Sequence, residues 1–115
     1  MNLGVVGSRG FDNYSLLSKT LGSYAIDRIV SGNAAGADSL AERYAKEHGI
    51  PTTIYIPEWE RYGKSAGYKR NVLIVEASDM VIAFWDGKSK GTQHTMNICK
   101  SNNVPCEVVL YKNVE

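Results

Sequence analysis

The sequence has little proline, little cysteine and no long apolar run. Three prolines and two cysteines in 115 residues exclude a Pro-rich linker and a disulfide-dense secreted scaffold. The longest apolar run is far too short to span a bilayer, and the first ten residues lack the basic and apolar segments of a signal peptide. We therefore expect a cytoplasmic protein that makes no contact with a membrane.

The sequence also lacks an excess of charge of either sign, because the formal net charge is only +1. Long-range attraction of nucleic acid or acidic lipid is therefore not expected, and any anion must be bound by a local arrangement of groups. Cys99 and Cys106 lack metal-site spacing and are expected to be buried thiols. No metal site and no cofactor are predicted. The length and the absence of a linker predict one domain over residues 1–115.

Short apolar runs alternate with helix-length segments along the chain. The runs are rich in Val, Ile and aromatic residues, and most are continuous, as in strands buried on both faces. They cover residues 3–6, 28–31, 52–56, 80–85 and 107–111. Right-handed crossovers then predict a mostly parallel five-stranded sheet with helices on both faces. The predicted fold class is α/β, a single Rossmann-like three-layer domain.

The clearest predicted helix follows the second strand. Apolar side chains from Ala37 to Ala45 recur at helical spacing and form one stripe, and Gly49 ends the helix. Other helices are predicted over residues 14–21 and 67–77, and a last one begins near Thr92. In such folds ligands bind at the carboxyl ends of the strands, where the strand order reverses. The loops that follow strands are therefore the candidate site.

The loop after the first strand reads GSRG. Gly7 permits a sharp turn, Ser8 offers a hydroxyl and an amide, and Arg9 is a fork-shaped donor suited to phosphate or carboxylate. The pattern is not G-x-G-x-x-G, so the fingerprint of NAD binding is absent. The alternative interpretation is a tight strand exit with a solvent-exposed arginine.

The loop after the second strand reads SGNAAGAD. Its small side chains let a ligand approach the backbone, and the amides and positive dipole of the next helix favour an anion. Asp38 either caps that helix or binds a ribose hydroxyl. The alternative is a close packing turn between helix and strand. The candidate ligand-binding residues here are Gly32, Asn33, Ala34, Gly36, Ala37 and Asp38.

The triplet GKS occurs twice, and neither copy completes the phosphate loop G-x-x-x-x-G-K-[ST]. Glu58 stands where the first copy needs a glycine, and Ile82 stands there in the second. Side chains of the first segment still offer groups that bind anions or stack on a base. These candidates are Trp59, Lys64, Arg70 and Asn71. The alternative is a solvated helix start, with the tryptophan covering the edge of the core.

The loop after the fourth strand reads DGKSKGTQHT. Thr92 is predicted to cap the following helix, whose first amides can bind phosphate. The alternative is a polar surface loop with a threonine cap. Trp85, Asp86, Gly91 and Thr92 are the candidate ligand-binding residues here. The first and fourth strands are expected to be neighbours, so that their loops form one crevice for a phosphate-bearing small molecule.

These motifs resemble those of the YspA- and YpsA-related group of the SLOG (Smf/DprA–LOG) superfamily. The resemblance covers nearly the whole chain and rests on GSRGF, SGNAAGAD, W-x3-GKSAGYKRN and WDGKSKGT, in that order. Asn33 replaces the glycine that is usual in the second motif. The resemblance implies a Rossmann-like fold that binds nucleotides or nucleotide-derived ligands, including ADP-ribose-type signals in some relatives. It also implies self-association.

A comparison with the LOG phosphoribohydrolases bears on catalysis. Those enzymes cleave the bond between base and ribose 5-phosphate with an arginine, matched here by Arg70, and with the glutamate of P-G-G-x-G-T-x-x-E. When Gly91 and Thr92 are aligned with the G-T of that motif, Thr95 occupies the glutamate position. Threonine has no charge to stabilise a developing oxocarbenium ion. No catalytic residue is therefore predicted.

Three functions remain open at this point. The first is binding, by sensing or sequestration, of a nucleotide-type ligand such as an ADP-ribose derivative or a cyclic nucleotide, as in a phage sponge for a host signal. The second is a LOG-like N-glycosidase. The third is DprA-like binding of single-stranded DNA, against which the near-neutral charge argues. Nucleic acid is not the expected partner, whereas a homo-oligomer is expected.

Overall fold

A computed structural model describes residues 1–112. Five strands form one parallel sheet in the order β3-β2-β1-β4-β5. The strands are β1 (Asn2–Gly7), β2 (Arg28–Ser31), β3 (Thr52–Ile54), β4 (Met80–Trp85) and β5 (Cys106–Leu110). The α/β, Rossmann-like prediction is confirmed, and so is the predicted pairing of the first strand with the fourth.

Five α-helices connect these strands. They are α1 (Tyr14–Leu21), α2 (Ala37–Glu47), α3 (Trp59–Tyr62), α4 (Ala66–Glu76) and α5 (Lys90–Ser101), and a 3-10 turn at Gly63–Ser65 joins α3 to α4. The stripe predicted for α2 is correct, because Ala37, Ala41, Tyr44 and Ala45 are buried. The four-residue helix α3 was not predicted, since it is too short to show a helical period.

Two hydrophobic clusters lie on opposite faces of the sheet. One contains Leu17 of α1 and Ala41 of α2, and the other contains Ile74 of α4 and Cys99 of α5. Side chains of β4 alternate between the clusters: Ile82 and Phe84 enter the first, whereas Val81 and Ala83 enter the second. Burial of both faces explains why this strand reads as a continuous apolar run.

The start of α5 differs from the prediction. Thr92 is not the cap: Ser89 is, and its Oγ accepts a hydrogen bond of 3.4 Å from the amide of Thr92. Ser89 is fixed by Asp86, whose Oδ1 accepts the amides of Lys88 and Ser89 at 2.8 Å each. Helix α5 therefore begins at Lys90, two residues earlier than expected.

Strands β3 and β5 are the edges of the sheet, and both depart from their predicted limits. Strand β3 ends at Ile54 rather than at residue 56, and Ile56 is 65% exposed. Strand β5 covers Cys106–Leu110, one residue earlier than predicted. An edge strand has a neighbour on one side only, so its hydrophobic residues reveal its limits less well than those of β1 or β4.

The prediction of buried thiols holds fully for one cysteine. Cys99 is buried between α5 and the sheet, whereas Cys106 is half-buried, and both are free thiols. Interaction with the neighbouring Cys106 sulfur, together with burial, raises the pKa of Cys99, and interaction with Cys99 lowers the pKa of Cys106.

Candidate functional site

The strand order reverses between β1 and β4, which lie side by side at the centre of the sheet. Beyond their paired ends, Gly7 and Phe84, the two chains remain joined. The amide of Ser8 donates to the carbonyl of Phe84 at 3.0 Å, and the amide of Asp86 donates to Ser8 Oγ at 3.2 Å. The loops after β1 and β4 are therefore joined by hydrogen bonds at the switch point of the sheet, where open α/β sheets bind ligands.

A cavity of about 500 Å³ opens at this switch point. This volume falls within the range of small-molecule pockets, roughly 300–1,000 Å³. Twelve of the residues predicted for the site line it: Gly7, Ser8, Arg9, Ala34, Asp38, Trp59, Lys64, Arg70, Asn71, Asp86, Gly91 and Thr92. The structure thus brings the loops after β1 and β2, the start of α4 and the start of α5 around one space.

Five other predicted residues do not line the cavity: Gly32, Asn33, Gly36, Ala37 and Trp85. Gly36 has φ +79°, and a side chain there would lie 2.7 Å from the carbonyl oxygen of Arg9. Ala37 is fully buried against Gly7. For these two positions the geometry is that of a close helix–strand packing turn, the alternative considered for this loop.

Asn33 and Trp85 have structural roles of their own. Asn33 has φ +60°, a left-handed conformation that asparagine tolerates better than most residues, and its side chain is exposed. This conformation explains how asparagine can stand at a position where glycine is usual. The indole Nε1 of Trp85 donates to the carbonyl of Ser89 at 3.0 Å, so this side chain fixes the loop before α5.

Asp38 is buried in the cavity wall, with only 5% of its surface exposed. Its Oδ2 accepts the amides of Gly32 and Ala34 at 3.1 and 3.2 Å. The side chain does not cap α2, whose N-terminal cap is Gly36; it closes the preceding loop instead. Burial raises the pKa of Asp38 to about 6, while the two amides and the charge of Arg70 act in the opposite direction.

Arg70 projects from α4 toward the same loop. Its Nη1 donates to the carbonyl of Gly32, and its Nε donates to Asn71 Oδ1 at 3.0 Å. A Cβ at Gly32 would meet the Arg70 guanidinium, so a side chain there would displace Arg70. Partial burial lowers the pKa of Arg70, and the neighbouring Asp38 carboxylate opposes that effect. Arg70 thus joins α4 to the loop after β2.

Asn71 connects α4 to α5. Its Nδ2 lies 3.4 Å from the carbonyl of Gly91 and 3.3 Å from His94 Nδ1. The His94 ring also packs against Tyr68, with ring centroids 4.3 Å apart, and burial lowers its pKa. These contacts hold the starts of α4 and α5 together on one side of the cavity.

Seven lining residues were not predicted: Val6, Gly10, Gly67, Tyr68, Ile74, Ser89 and Thr95. Tyr68 is 49% exposed and Trp59 is 52% exposed, so two aromatic side chains stand at the cavity mouth. No sequence signal marked Tyr68 as a lining residue. Ser89 was detectable, because a serine three residues before Thr92 can accept the Thr92 amide as the cap of the helix. Thr95, which aligns with the LOG glutamate, is buried, and its hydroxyl donates to the carbonyl of Gly91 at 3.3 Å.

Residues 1–112 contain no group of three or more His, Cys, Asp or Glu side chains placed to hold a metal ion. No helix in this range is long and apolar enough to cross a bilayer.

Comparison with known proteins agrees with this architecture. Over an alignment of 83 residues the chain is 37% identical to the Gene 61 protein of Mycobacterium phage D29, and the match covers 67% of this chain and 66% of that protein. The sequence profile of the YspA, cpYpsA-related SLOG family matches residues 2–62, a range that includes the loops after β1 and β2. The chain therefore belongs to the YspA, cpYpsA-related SLOG family.

Proposed function

We propose that the protein binds a phosphate-containing, nucleotide-derived small molecule in the cavity at the β1/β4 switch point. The observation that carries this proposal is the combination of groups around one space of about 500 Å³. Arg9 and Lys64 are cationic and exposed at its edge, and Trp59 and Tyr68 stand at its mouth. Cations match a phosphate, and aromatic faces match a base.

The start of α5 adds neutral donors to these cations. The amides of Lys90 and Gly91 belong to the first turn and have no acceptor among residues 1–112. Such amides and the positive end of a helix favour a phosphate. Because Gly91 lines the same cavity as Arg9, these groups can contact one anion from two sides.

The ligand we favour is an ADP-ribose derivative or a cyclic nucleotide. Membership of the SLOG family supports a nucleotide-related ligand in general, and the aromatic mouth supports a base. The protein would sense or sequester this ligand. In the second role, a small protein would remove a host signal from solution.

Binding is tested by thermal shift with a panel of nucleotides, cyclic nucleotides and ADP-ribose derivatives. A ligand present at 100 times its dissociation constant should stabilise the folded state by about 2.7 kcal/mol, and Arg9→Ala should reduce that shift. Lys100→Ala is a suitable control, because Lys100 is exposed on α5 and does not line the cavity. No shift across the panel, together with no small molecule released from the purified protein on heating, would refute the proposal.

A second candidate is an N-glycosidase related to the LOG enzymes. One observation favours it: Asp38 places a buried carboxylate with a raised pKa in the same cavity as Arg70, and perturbed carboxylates are frequent at active sites. Release of free base from nucleoside monophosphates, measured by chromatography and abolished in Asp38→Asn, would support this function. Intact binding without turnover would eliminate it.

A further inference from the structure

The two carboxylate oxygens of Asp38 have different surroundings. Oδ2 accepts both loop amides, from Gly32 and Ala34. Oδ1 has no hydrogen-bond partner among residues 1–112, and it is not among the fully covered atoms that lack one. Since Asp38 lines the cavity, Oδ1 is an acceptor that a ligand donor can reach there.

Arg70 supplies a donor beside this acceptor. Its Nε and Nη1 are occupied by Asn71 and Gly32, whereas Nη2 has no acceptor within residues 1–112. Asp38 and Arg70 influence each other electrostatically but form no direct ion pair. A gap therefore separates an unused acceptor from an unused donor, in a wall of the cavity.

A phosphate does not suit this end of the cavity. It is predominantly deprotonated at neutral pH and so is a poor donor, and it would face the negative charge of Asp38. The amides of Gly32 and Ala34, which the sequence offered as phosphate donors, already donate to that carboxylate. The opposite end has cations and unused amides, from Arg9, Lys64 and the first turn of α5.

A hydroxyl fits the gap, because it donates one hydrogen bond and accepts others. We infer that Asp38 and Arg70 bind a sugar hydroxyl of the ligand, so that the sugar lies toward the β2–α2 loop and the phosphate toward Arg9 and the start of α5. This inference rests on the proposed function and adds to it an orientation and a requirement for a ribose rather than a deoxyribose. Asp38 is thereby a specificity-determining residue.

The inference is tested by calorimetric titration with AMP, 2′-deoxy-AMP and 3′-deoxy-AMP. A hydrogen bond to a charged group contributes about 1.5–3 kcal/mol, so one of the deoxy analogues should bind wild-type protein about 10-fold or more weakly than AMP. In Asp38→Asn that ratio should fall to about 3-fold or less, because the one asparagine oxygen is used by the amides of Gly32 and Ala34 and an NH2 donor replaces the accepting Oδ1. Asp12→Asn makes the same chemical change at an exposed position outside the cavity and should leave the ratio unchanged.

Orientation is tested separately with adenosine, which lacks the phosphate. Arg9→Ala should weaken the binding of AMP and leave the binding of adenosine unchanged, whereas Asp38→Asn should weaken the binding of both. Equal loss of both ligands in Arg9→Ala would overturn the orientation. The Arg9→Ala measurement and the wild-type comparison of AMP with its deoxy analogues do not require the Asp38 variant to fold, because Arg9 is exposed and the second comparison uses wild-type protein.

The outcomes separate the inference from the proposed function. If wild-type protein binds AMP and both deoxy analogues equally, the hydroxyl site is wrong and nucleotide binding stands. If a folded Asp38→Asn variant still discriminates AMP from its deoxy analogues as strongly as wild-type protein does, the role inferred for Asp38 is wrong. If neither AMP, adenosine nor any member of the wider nucleotide panel binds, the proposed function itself fails, and this inference fails with it.

Discussion

Replacing Asp38 by asparagine should make the folded protein more stable at neutral pH. The side chain is buried and accepts two amides through one oxygen, and the asparagine oxygen can accept the same bonds. What the substitution removes is a charge held in a poorly solvated position, with Arg70 as its attractive neighbour and Glu42 as a repulsive one.

The size of the effect follows from the pKa of Asp38, which burial raises from 3.8 to about 6. At 1.36 kcal/mol per pKa unit, ionising this group costs about 3 kcal/mol more in the folded than in the unfolded protein. Because the folded pKa is the higher one, the folded state binds more protons between pH 4 and pH 6. The stability that the folded state gains from binding this proton is therefore complete below about pH 4 and is lost as the pH rises through about 6.

The assay is urea unfolding followed by circular dichroism at several pH values from 4 to 8. The free energy of unfolding of Asp38→Asn minus that of wild-type protein should rise through this window and level off above pH 6, at up to about 3 kcal/mol. Taking the difference removes the titration of carboxylates with lowered pKa, such as Asp86 and Glu47, because both proteins contain them. Asp12→Asn serves as the control and should give a flat difference curve.

The contrary result is equally clear. If Asp38→Asn is less stable than wild-type protein by the same amount from pH 4 to pH 8, the folded pKa of Asp38 does not lie above its unfolded value. Attraction to Arg70 and the two amide hydrogen bonds would then outweigh the cost of burial. The description of Asp38 as a buried group with a raised pKa would have to be abandoned.

Three further predictions concern the framework around the cavity. Gly36→Ala should cost about 3 kcal/mol or more, from left-handed strain and a clash with backbone, whereas Gly49→Ala, with φ +66° and open space, should cost about 1–2 kcal/mol; chemical denaturation measures both. Ser89→Ala should cost about 1 kcal/mol in the same assay, because it removes the cap of α5. Cys106 should be alkylated by iodoacetamide at a lower pH in wild-type protein than in Cys99→Ala, since the Cys99 thiol stabilises its thiolate, and mass spectrometry follows the rate.

The sequence pattern was sufficient to predict a strand where both faces of that strand are buried. Strands β1 and β4 are covered on both faces, so their apolar runs marked them clearly, and the loops that follow them were located correctly at the switch point. The edge strands β3 and β5 were placed less well, because one neighbour and a partly exposed face leave a weaker pattern.

The details of the site depend on contacts between distant residues, which the sequence does not reveal. Ser89 and Thr92 are both good caps, and the choice between them is made by Asp86 and by the indole of Trp85, which fix the preceding loop. The role of Asp38 depends on a loop that turns back through positive φ at Asn33 and Gly36, so that its amides meet the carboxylate. The small residues of this loop can be read from the sequence, but the direction in which its backbone turns cannot.

The most direct test of the central claim is a titration of ¹⁵N-labelled protein with ADP-ribose and with a cyclic nucleotide, followed by NMR. We expect saturable shifts of amide signals concentrated at Ser8, Arg9, Ala34 and Gly91, around the cavity at the switch point of the sheet. Shifts concentrated on another surface would contradict the site. No saturable shift with either ligand class would contradict the proposal that this cavity binds a nucleotide-derived molecule.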